Sequence, residues 1–549
     1  MTQITPRTPP RLRTWGTGTA MTIDGMPALC IGGELHNSSA SSRAYLDDIW
    51  DRVASSGART VIAPVAWNEF EPVEGVFDFS LLDALIAKAT QSAQRLIIMW
   101  FGAFKNATSV YAPSWVRRDR DRFPRAVLTE QPFPLPFSYD GAMPRPVLSV
   151  FSAELRECDR RAYAAMMTHL AEHDPDYTVV MVQVQNEVGL LGSARDRCDV
   201  ADAAWNAAVP PAVRDAVLND PVLSGSAAAA AFREAPTTAT WPQVLADSPA
   251  VDEIFMAWGF ASYIEALAEE GNRIHPVPTF ANAWLGPQPG QPDPGTYPSG
   301  GPTAQMIGLW RALAPTLSFV SPDIYVRDSE PVMREYSRAG NPLFIPEARF
   351  RAGDLALAIG RHKAIGYHVF GLEDGRENNQ YSQLASAMLA VEQEILEAQR
   401  DDQILGFALE AGSATYTAEI LGMTITVRDA VKQYSQMLLD VGVDIPEPGP
   451  LPAETVAVAR GATPADERPF GIVVAISVDE LVVIGQRFMI DVVRRDCRTE
   501  IDDVRELVHG EDGWEQGRLL NGDERLLLTG VDGVTAARIR LIHHDEHAS

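Results

Sequence analysis

Two short stretches carry the residue types best suited to chemistry. In VVMVQVQNEVG an apolar run ends in Gln185, Asn186 and Glu187, and in PLFIPEARF another ends in Glu347. Both runs have strand length and are almost continuously apolar, the texture of a strand buried on both faces. A carboxylate at the end of such a strand faces the mouth of a sheet or barrel, where side chains from distant parts of a chain converge. Two converging carboxyl groups suit cleavage of a glycosidic bond. One keeps a proton for the leaving oxygen. The other is ionised, attacks the anomeric carbon and leaves a covalent glycosyl-enzyme. Mutual repulsion and burial separate their pKa values. A spacing of ~5–5.5 Å predicts retention of configuration and ~6.5–9.5 Å inversion. Either Glu taken singly is as easily a solvated charge or a salt-bridge partner; the pairing of two strand ends is the signal.

The elements that must position them repeat along the chain: a short apolar run, polar or aromatic residues, then an amphipathic helix. The runs are ALCIGGEL, ARTVIAPVAW, RLIIMWFGAF, TVVMVQVQN, PVPTFANAW, LSFVSPDIY, PLFIPEARF and GYHVFGLED. Eight strands, each followed by a helix, predict an α/β fold of the (β/α)8 TIM-barrel type. A doubly wound open sheet is the alternative, but Gly32-Gly33 is no GxGxxG phosphate loop. In the barrel reading Glu187 ends strand four and Glu347 strand seven, across the mouth from each other. Glu34 and His36 end strand one, Asn68 and Glu71 end strand two, and all four are candidates to bind a sugar. Asn186 offers an amide to a sugar hydroxyl. Trp100 and Trp284 are candidate platforms for a sugar face, or else plain core. The His169/His173 pair lacks the Glu of HExxH and reads as solvated rather than as a zinc site.

The Pro-, Arg- and Thr-rich residues 1–18 read as a flexible N-terminal segment, and 19–402 as the catalytic barrel. Residues 118–150 and 190–250 interrupt it after strands three and four, where pocket walls are built. From 403 to 549 the texture becomes β-like, predicting a β-rich, sandwich-like accessory domain joined through GPLPAETVA.

The formal net charge of −27 over 549 residues excludes phosphate backbones and anionic membrane surfaces as natural partners. The four cysteines form no CxxC pair, and no Cys/His spacing suggests a metal. Neither an apolar leader core nor a membrane-length apolar run is visible, which predicts a cytoplasmic protein. No cofactor or metal is called for. The expected partner is a small oligosaccharide or glycoside, with a homo-oligomer left open.

Several motifs together resemble a known group. Asn186-Glu187 on strand four and Glu347 on strand seven resemble the clan of retaining (β/α)8 glycosidases. WNEFEPVEGVFDF, with Trp67, Asn68, Glu71, Pro72, Gly75 and Phe79, resembles the strand-two signature of glycoside hydrolase families 35 and 42. GGELHNSS and WFGAFKNATSVYAPSWVRRDRDRFPR resemble a bacterial family 35 subgroup with a β-rich C-terminal domain. The resemblance implies that Glu187 is acid/base, Glu347 is nucleophile, and Tyr325 orients Glu347. It implies a retaining exo-β-glycosidase, foremost a β-galactosidase. A β-glucosidase or a transglycosylase on the same scaffold is the alternative, and a non-catalytic carbohydrate-binding protein is the reading from another class. Better-known family 35 members carry a sugar-gripping Glu after strand three. Here Gly102-Ala103-Phe104-Lys105-Asn106 has none, so the sugar stays open.

Overall fold

The computed structural model describes residues 7–128, 147–245, 248–338, 340–375, 379–410, 413, 415–443, 466–510, 513–526, 529–530 and 533–544. Parallel strands Cys30–Glu34, Thr60–Ala66, Arg95–Lys105, Val179–Asn186, Thr279–Ala283 and Phe319–Ile324 pair in sequence order, and Gly366–Phe370 pairs with the first. The seventh strand is split by Pro346, which has no N–H to give either ladder. Phe344–Ile345 pairs with the eighth strand and Glu347–Ala348 with the sixth, so the ring of eight closes. A helix follows each strand: Arg43–Ser55, Ser80–Gln91, Ala153–His173, Pro249–Ile274, Ile307–Leu313, Glu330–Tyr336, Ala352–Gly360 and Gln380–Ala390. The fold is the expected TIM barrel, followed by antiparallel β-structure.

Alternate residues of the strands divide between two cores. Cys30, Ile62, Ile97, Phe280, Phe319 and Phe344 fill the lumen, with the Phe280 and Phe319 rings stacked at 5.1 Å. Ile31, Val61 and Ile98 face the helices. The packed lumen leaves only the C-terminal rim of the strands for chemistry.

Residues Arg11–Trp15 are not a loose tail. They pair antiparallel with Gly18–Ile23, which turns through Asp24-Gly25 into Met26–Ala28. Met21 enters the lumen core and the Trp15 indole donates to the Leu396 carbonyl at 2.6 Å, so this small sheet closes the barrel base. The sequence hid this because the Arg side chains of RLRTW mask a strand whose anchor is one Trp. Residues 1–6 lie outside the described residues, as do 129–146 of the first insertion and the GPLPAETVA connection.

The insertion over 190–250 forms helices Asp199–Trp205, Pro211–Asn219, Ala227–Glu234 and Trp241–Leu245. Trp205 and Trp241 pack with Phe255 of the long helix Pro249–Ile274, and Phe232 packs on Trp241, so the insertion is built onto the barrel. His169 departs from expectation too. It is buried, stacked on Phe79 and His173, and bonded to Asp83 at 2.6 Å.

After the barrel, a six-stranded antiparallel sheet includes Ile404–Ala408, Phe470–Ser477, Glu480–Gln486 and Thr535–His544. A three-stranded sheet pairs Thr415–Ile420, Met423–Asp429 and Phe488–Arg494. Strand periodicity gives the larger sheet two apolar faces. Phe470, Ile472, Val474 and Ile484 join the barrel's core, whereas Val473, Ala475, Val483 and Ile539 pack with Ile425 and Val427 of the smaller sheet.

Candidate active site

Glu34, Glu187, Asp323 and Glu347 come from strands one, four, six and seven and meet at the barrel rim. All four are buried, at 0%, 6%, 3% and 8% exposure, and their charges act on one another. Barrel closure brings them together: register sets Glu347 opposite Asp323 and Glu34 opposite Phe370, at the same height on neighbouring strands. Lys105, at the end of strand three, is the cation that lowers the pKa of Glu34, Glu187 and Glu347.

Glu187 is raised to about 7, first by burial and then by the charge of Glu347; the charge of Lys105 opposes this. Glu347 is raised by burial, with Lys105 and the Tyr325 hydroxyl pulling it back. Tyr325 donates a short hydrogen bond to Glu347 Oε1. Burial thus raises both carboxyl groups, and of the two Glu347 has the Tyr325 hydroxyl as its donor.

The Glu187 backbone is held in the left-handed region, with φ 45°, as is Gln185 with φ 64°. Such strain in non-glycine residues persists only where surroundings over-determine it. Those surroundings are visible. The Glu187 N–H donates to Asn282 Oδ1 at 2.9 Å. Asn282 Nδ2 donates to Asn186 Oδ1 at 2.9 Å and to Asp323 Oδ2 at 2.6 Å. Gln183 donates to Asn186 Oδ1 at 2.9 Å, and Asn186 donates to Asn106 Oδ1 at 3.1 Å. One N–H of Asn186 is thus committed inside the protein. Gln185 accepts from the Phe104 N–H and donates to Asp159, which also accepts from Trp100, Ala103 and Tyr263. Gly102 makes room for this hub, because a Cβ there would lie 2.5 Å from the Gln185 amide nitrogen and 2.6 Å from Asp159 Oδ1.

Other expected site residues separate into rim, side cavity and core. Both oxygens of Glu34 and Oε2 of Glu373 are buried without a hydrogen-bond partner among the described residues. Glu373 Oε1 accepts from Ser39 Oγ at 2.5 Å and from the His36 N–H at 3.0 Å. The His36 ring sits at the rim, bonded to Asp374 at 2.6 Å and edge-on to Phe370. Trp284 is half-buried directly after strand five.

Three expected site residues lie away from the carboxyl cluster. Trp100 is fully buried on the helix side of its strand, against Phe70 and Tyr163, with its indole N–H on Asp159. It is core because strand alternation turns position 100 away from the lumen. Glu71 spends both oxygens locally, one on the Trp67 indole at 2.6 Å and one on the Gly75 N–H at 2.7 Å, and so braces its own loop. Asn68 lines a side cavity of about 150 Å³ with Asn37, Ser38 and Tyr111, and none of the clustered carboxylates borders it. Sequence reasoning passed over Asp323, Asn282 and Lys105. Asp323 was legible as the Asp two residues before Tyr325 at a strand end; the other two had no signal apart from strand position.

With this geometry in hand, the chain can be set beside known proteins. Residues 39–210 match the family model described as Beta-galactosidase, of glycoside hydrolase family 42. That match supports a glycosidase related to family 42; it includes Glu187 and stops short of Glu347, and nothing in it supports family 35. Residues 378–529 match a domain of unknown function, DUF5597. No curated protein sequence matches significantly. Similar solved structures include a β-galactosidase from Marinomonas ef1, at 13% identity and a TM-score of 0.42 over 67% of this chain and 60% of that one. A β-galactosidase from Bacillus circulans sp. alkalophilus has 11% identity and a TM-score of 0.45 over 93% of this chain and 99% of that one. An exo-beta-1,4-mannosidase from an Opitutaceae bacterium has 14% identity and a TM-score of 0.36 over 65% and 54%. The chain thus spans under two thirds of the Marinomonas enzyme's length, and at these scores the likenesses say nothing of chemistry. Among the described residues no helix is long and apolar enough to cross a membrane.

Proposed function

We propose that this protein is a retaining exo-β-glycosidase acting on short oligosaccharides, with β-galactosides as the first substrates to try. The observation that carries the reading is the buried carboxyl cluster in which Glu187 is raised to about 7 while Glu347 is served by the Tyr325 hydroxyl. Glu187 gives its proton to the leaving oxygen as Glu347 attacks the anomeric carbon. Glu187, now a carboxylate, then takes a proton from the water that releases the sugar from Glu347. The unpartnered oxygens of Glu34 and Glu373 accept hydrogen bonds from hydroxyls of the non-reducing sugar. They do so in place of the Glu missing after strand three. An uncompensated buried carboxylate is costly, and a polyol repays it.

The barrel over 19–402 is, in this reading, the catalytic domain, and 403–549 its accessory domain. The resemblance to the family 35 subgroup and the β-galactosidase description matched by residues 39–210 both favour galactose. The test is a panel of nitrophenyl β-galactoside, β-glucoside, β-fucoside and α-arabinoside with the parent, Glu187→Ala and Glu347→Ala. Loss of about 10³-fold or more in Glu347→Ala is expected. In Glu187→Ala the expected loss is largest for the poorest leaving group. Unchanged activity in both variants defeats the reading, and an inverted anomer as the first product, followed by NMR, defeats the retaining mechanism.

A further inference from the structure

We propose that the cavity between the barrel and the β-rich region is a second, non-catalytic site that binds a neutral oligosaccharide. The ligand class rests on the glycosidase reading. The site itself is built from residues that neither the motifs nor the mechanism use.

The cavity has a volume of about 490 Å³, and none of the four clustered carboxyl groups lines it. Sites that hold small ligands span ~300–1,000 Å³. One wall comes from the end of helix Arg43–Ser55 and from helix Gln380–Ala390, where Ser382 and Ser386 stand one turn apart. The facing wall comes from strands Arg498–Gly510 and Gly513–Leu519, through Glu506 and Trp514. Ser382, Ser386, Glu506 and Trp514 all fall within residues 378–529, the stretch matched to the domain of unknown function. Arg52 and Ser55 line the cavity and are exposed, so it is reached from solvent.

The chemistry of the lining suits a sugar. Two half-buried aromatic side chains enter it from different parts of the chain, Phe350 from the barrel and Trp514 from the β-rich region. Both are held: Phe350 stands edge-on to Tyr381, and the Trp514 indole N–H donates to the Ala387 carbonyl at 3.2 Å. An aromatic plane takes the C–H face of a pyranose, and serine hydroxyls donate and accept as sugar hydroxyls do. Ser55 Oγ donates to the Arg52 carbonyl at 3.1 Å, which leaves it an acceptor for a ligand hydroxyl. The charged groups of the lining are Arg52 and Glu506, one of each sign, and Glu506 is already bound by Arg518 at 3.0 Å. Nothing there selects an ionic ligand over a neutral polyol. Leu372 and Gly375 also line the cavity and bracket Glu373, whose carbonyl accepts from Arg52 Nε at 3.2 Å. One short segment thus joins this site to the barrel rim.

The test counts bound sugar. Full-length Glu347→Ala, used so that the ligand stays intact, is dialysed to equilibrium against β-1,4-galactotetraose and, separately, cellotetraose. At saturation about two moles of at least one of them are expected per chain, one at the barrel mouth and one in the cavity. Adding Ser55→Trp, which fills the cavity from an exposed helix end, or Trp514→Ala, which removes a ring, should bring this to about one. With Glu347 restored, Ser55→Trp should keep kcat/KM within about twofold of the parent on the nitrophenyl glycoside that the parent cleaves best. A single mole bound in Glu347→Ala, no binding of either sugar, or a second mole retained in both cavity variants overturns the proposal and leaves the hydrolase reading intact. A loss of about tenfold or more in Ser55→Trp turnover overturns it too, because the cavity would then belong to the catalytic site. Should Trp514→Ala fail to fold, Ser55→Trp decides alone. A parent that cleaves no glycoside overturns the hydrolase reading, whereas a mole of bound sugar lost in Ser55→Trp still upholds this site.

Discussion

At the residue scale the site concentrates negative charge where water is scarce, and pH is the variable that reads it. Glu187 must be protonated to act as acid and is raised to about 7. On glycosides with poor leaving groups, kcat/KM should therefore fall as pH rises through about 7. Glu187→Ala assayed with a dinitrophenyl glycoside should lose that alkaline limb, and a limb that persists would assign it to another group. Glu347 must be ionised and is raised by burial, so the acid limb lies above the ordinary carboxylate range. Glu34 is raised well above its value in the unfolded chain, by burial and then by Glu347. A group raised in this way binds more protons in the folded than the unfolded state, so it costs stability as pH rises above the unfolded value. Glu34→Gln should thus melt higher than the parent by about 2 °C or more at pH 8, with little difference at pH 5. A gain equal at both pH values would detach Glu34 from the charge cluster.

At the element scale the barrel strands carry the geometry, and their spacing tolerates little. Gly32 in the first strand lies opposite Thr60 of the second, and a Cβ at position 32 would meet the Thr60 carbonyl oxygen at 1.8 Å. Because that neighbour is backbone in a closed ring, it has nowhere to move. Gly32→Ala should destabilise by about 3 kcal/mol or more, seen in chemical denaturation, and should misplace Glu34 two residues on. The helices and strands themselves were largely readable: the periodicity of SLLDALIAKATQ and the apolar run VVMVQVQN correspond to Ser80–Gln91 and Val179–Asn186. The split of strand seven at Pro346 was not, because it depends on which neighbour each half finds. The strand Arg11–Trp15 was hidden because its Arg side chains mask the pattern and its one anchor is Trp15.

At the scale of the whole molecule, barrel and β-rich region share a core through Phe470, Ile472 and Ile484, and a buried ion network pins the contact. Arg468 binds Asp354 of the barrel helix Ala352–Gly360 at 2.8 Å and Asp466 at 2.8 Å. Asp466 in turn accepts the Gly353 N–H at 2.9 Å. The Arg468 side chain is 11% exposed and the two aspartates 5% and 3%. Removing the guanidinium would leave Asp354 with Arg351 alone, at 3.3 Å, and take from buried Asp466 the cation that binds it directly. Arg468→Ala should cost about 3–5 kcal/mol, measured by urea denaturation of the full chain. A change under about 1 kcal/mol would mean that the apolar contact alone holds the two parts together.

The amino-acid sequence by itself determined the eight strand–helix units of the barrel, the barrel class, the change of texture near residue 403 and the two glutamates at strand ends. These are local properties, written in apolar periodicity and in the polar residues that close each apolar run. Tertiary structure decided which polar residues share the cavity. Glu71 looked equal to Glu34 as a strand-end candidate and Trp100 was a candidate sugar platform, yet a local loop and strand alternation turned them into brace and core. Asp323 and Asn282 gained their place only from ring closure, which sets strand six beside strand seven and strand five beside strand four. Sequence fixes the direction of a side chain along its own strand. The partner it meets across a barrel depends on register and closure, and no single segment contains either.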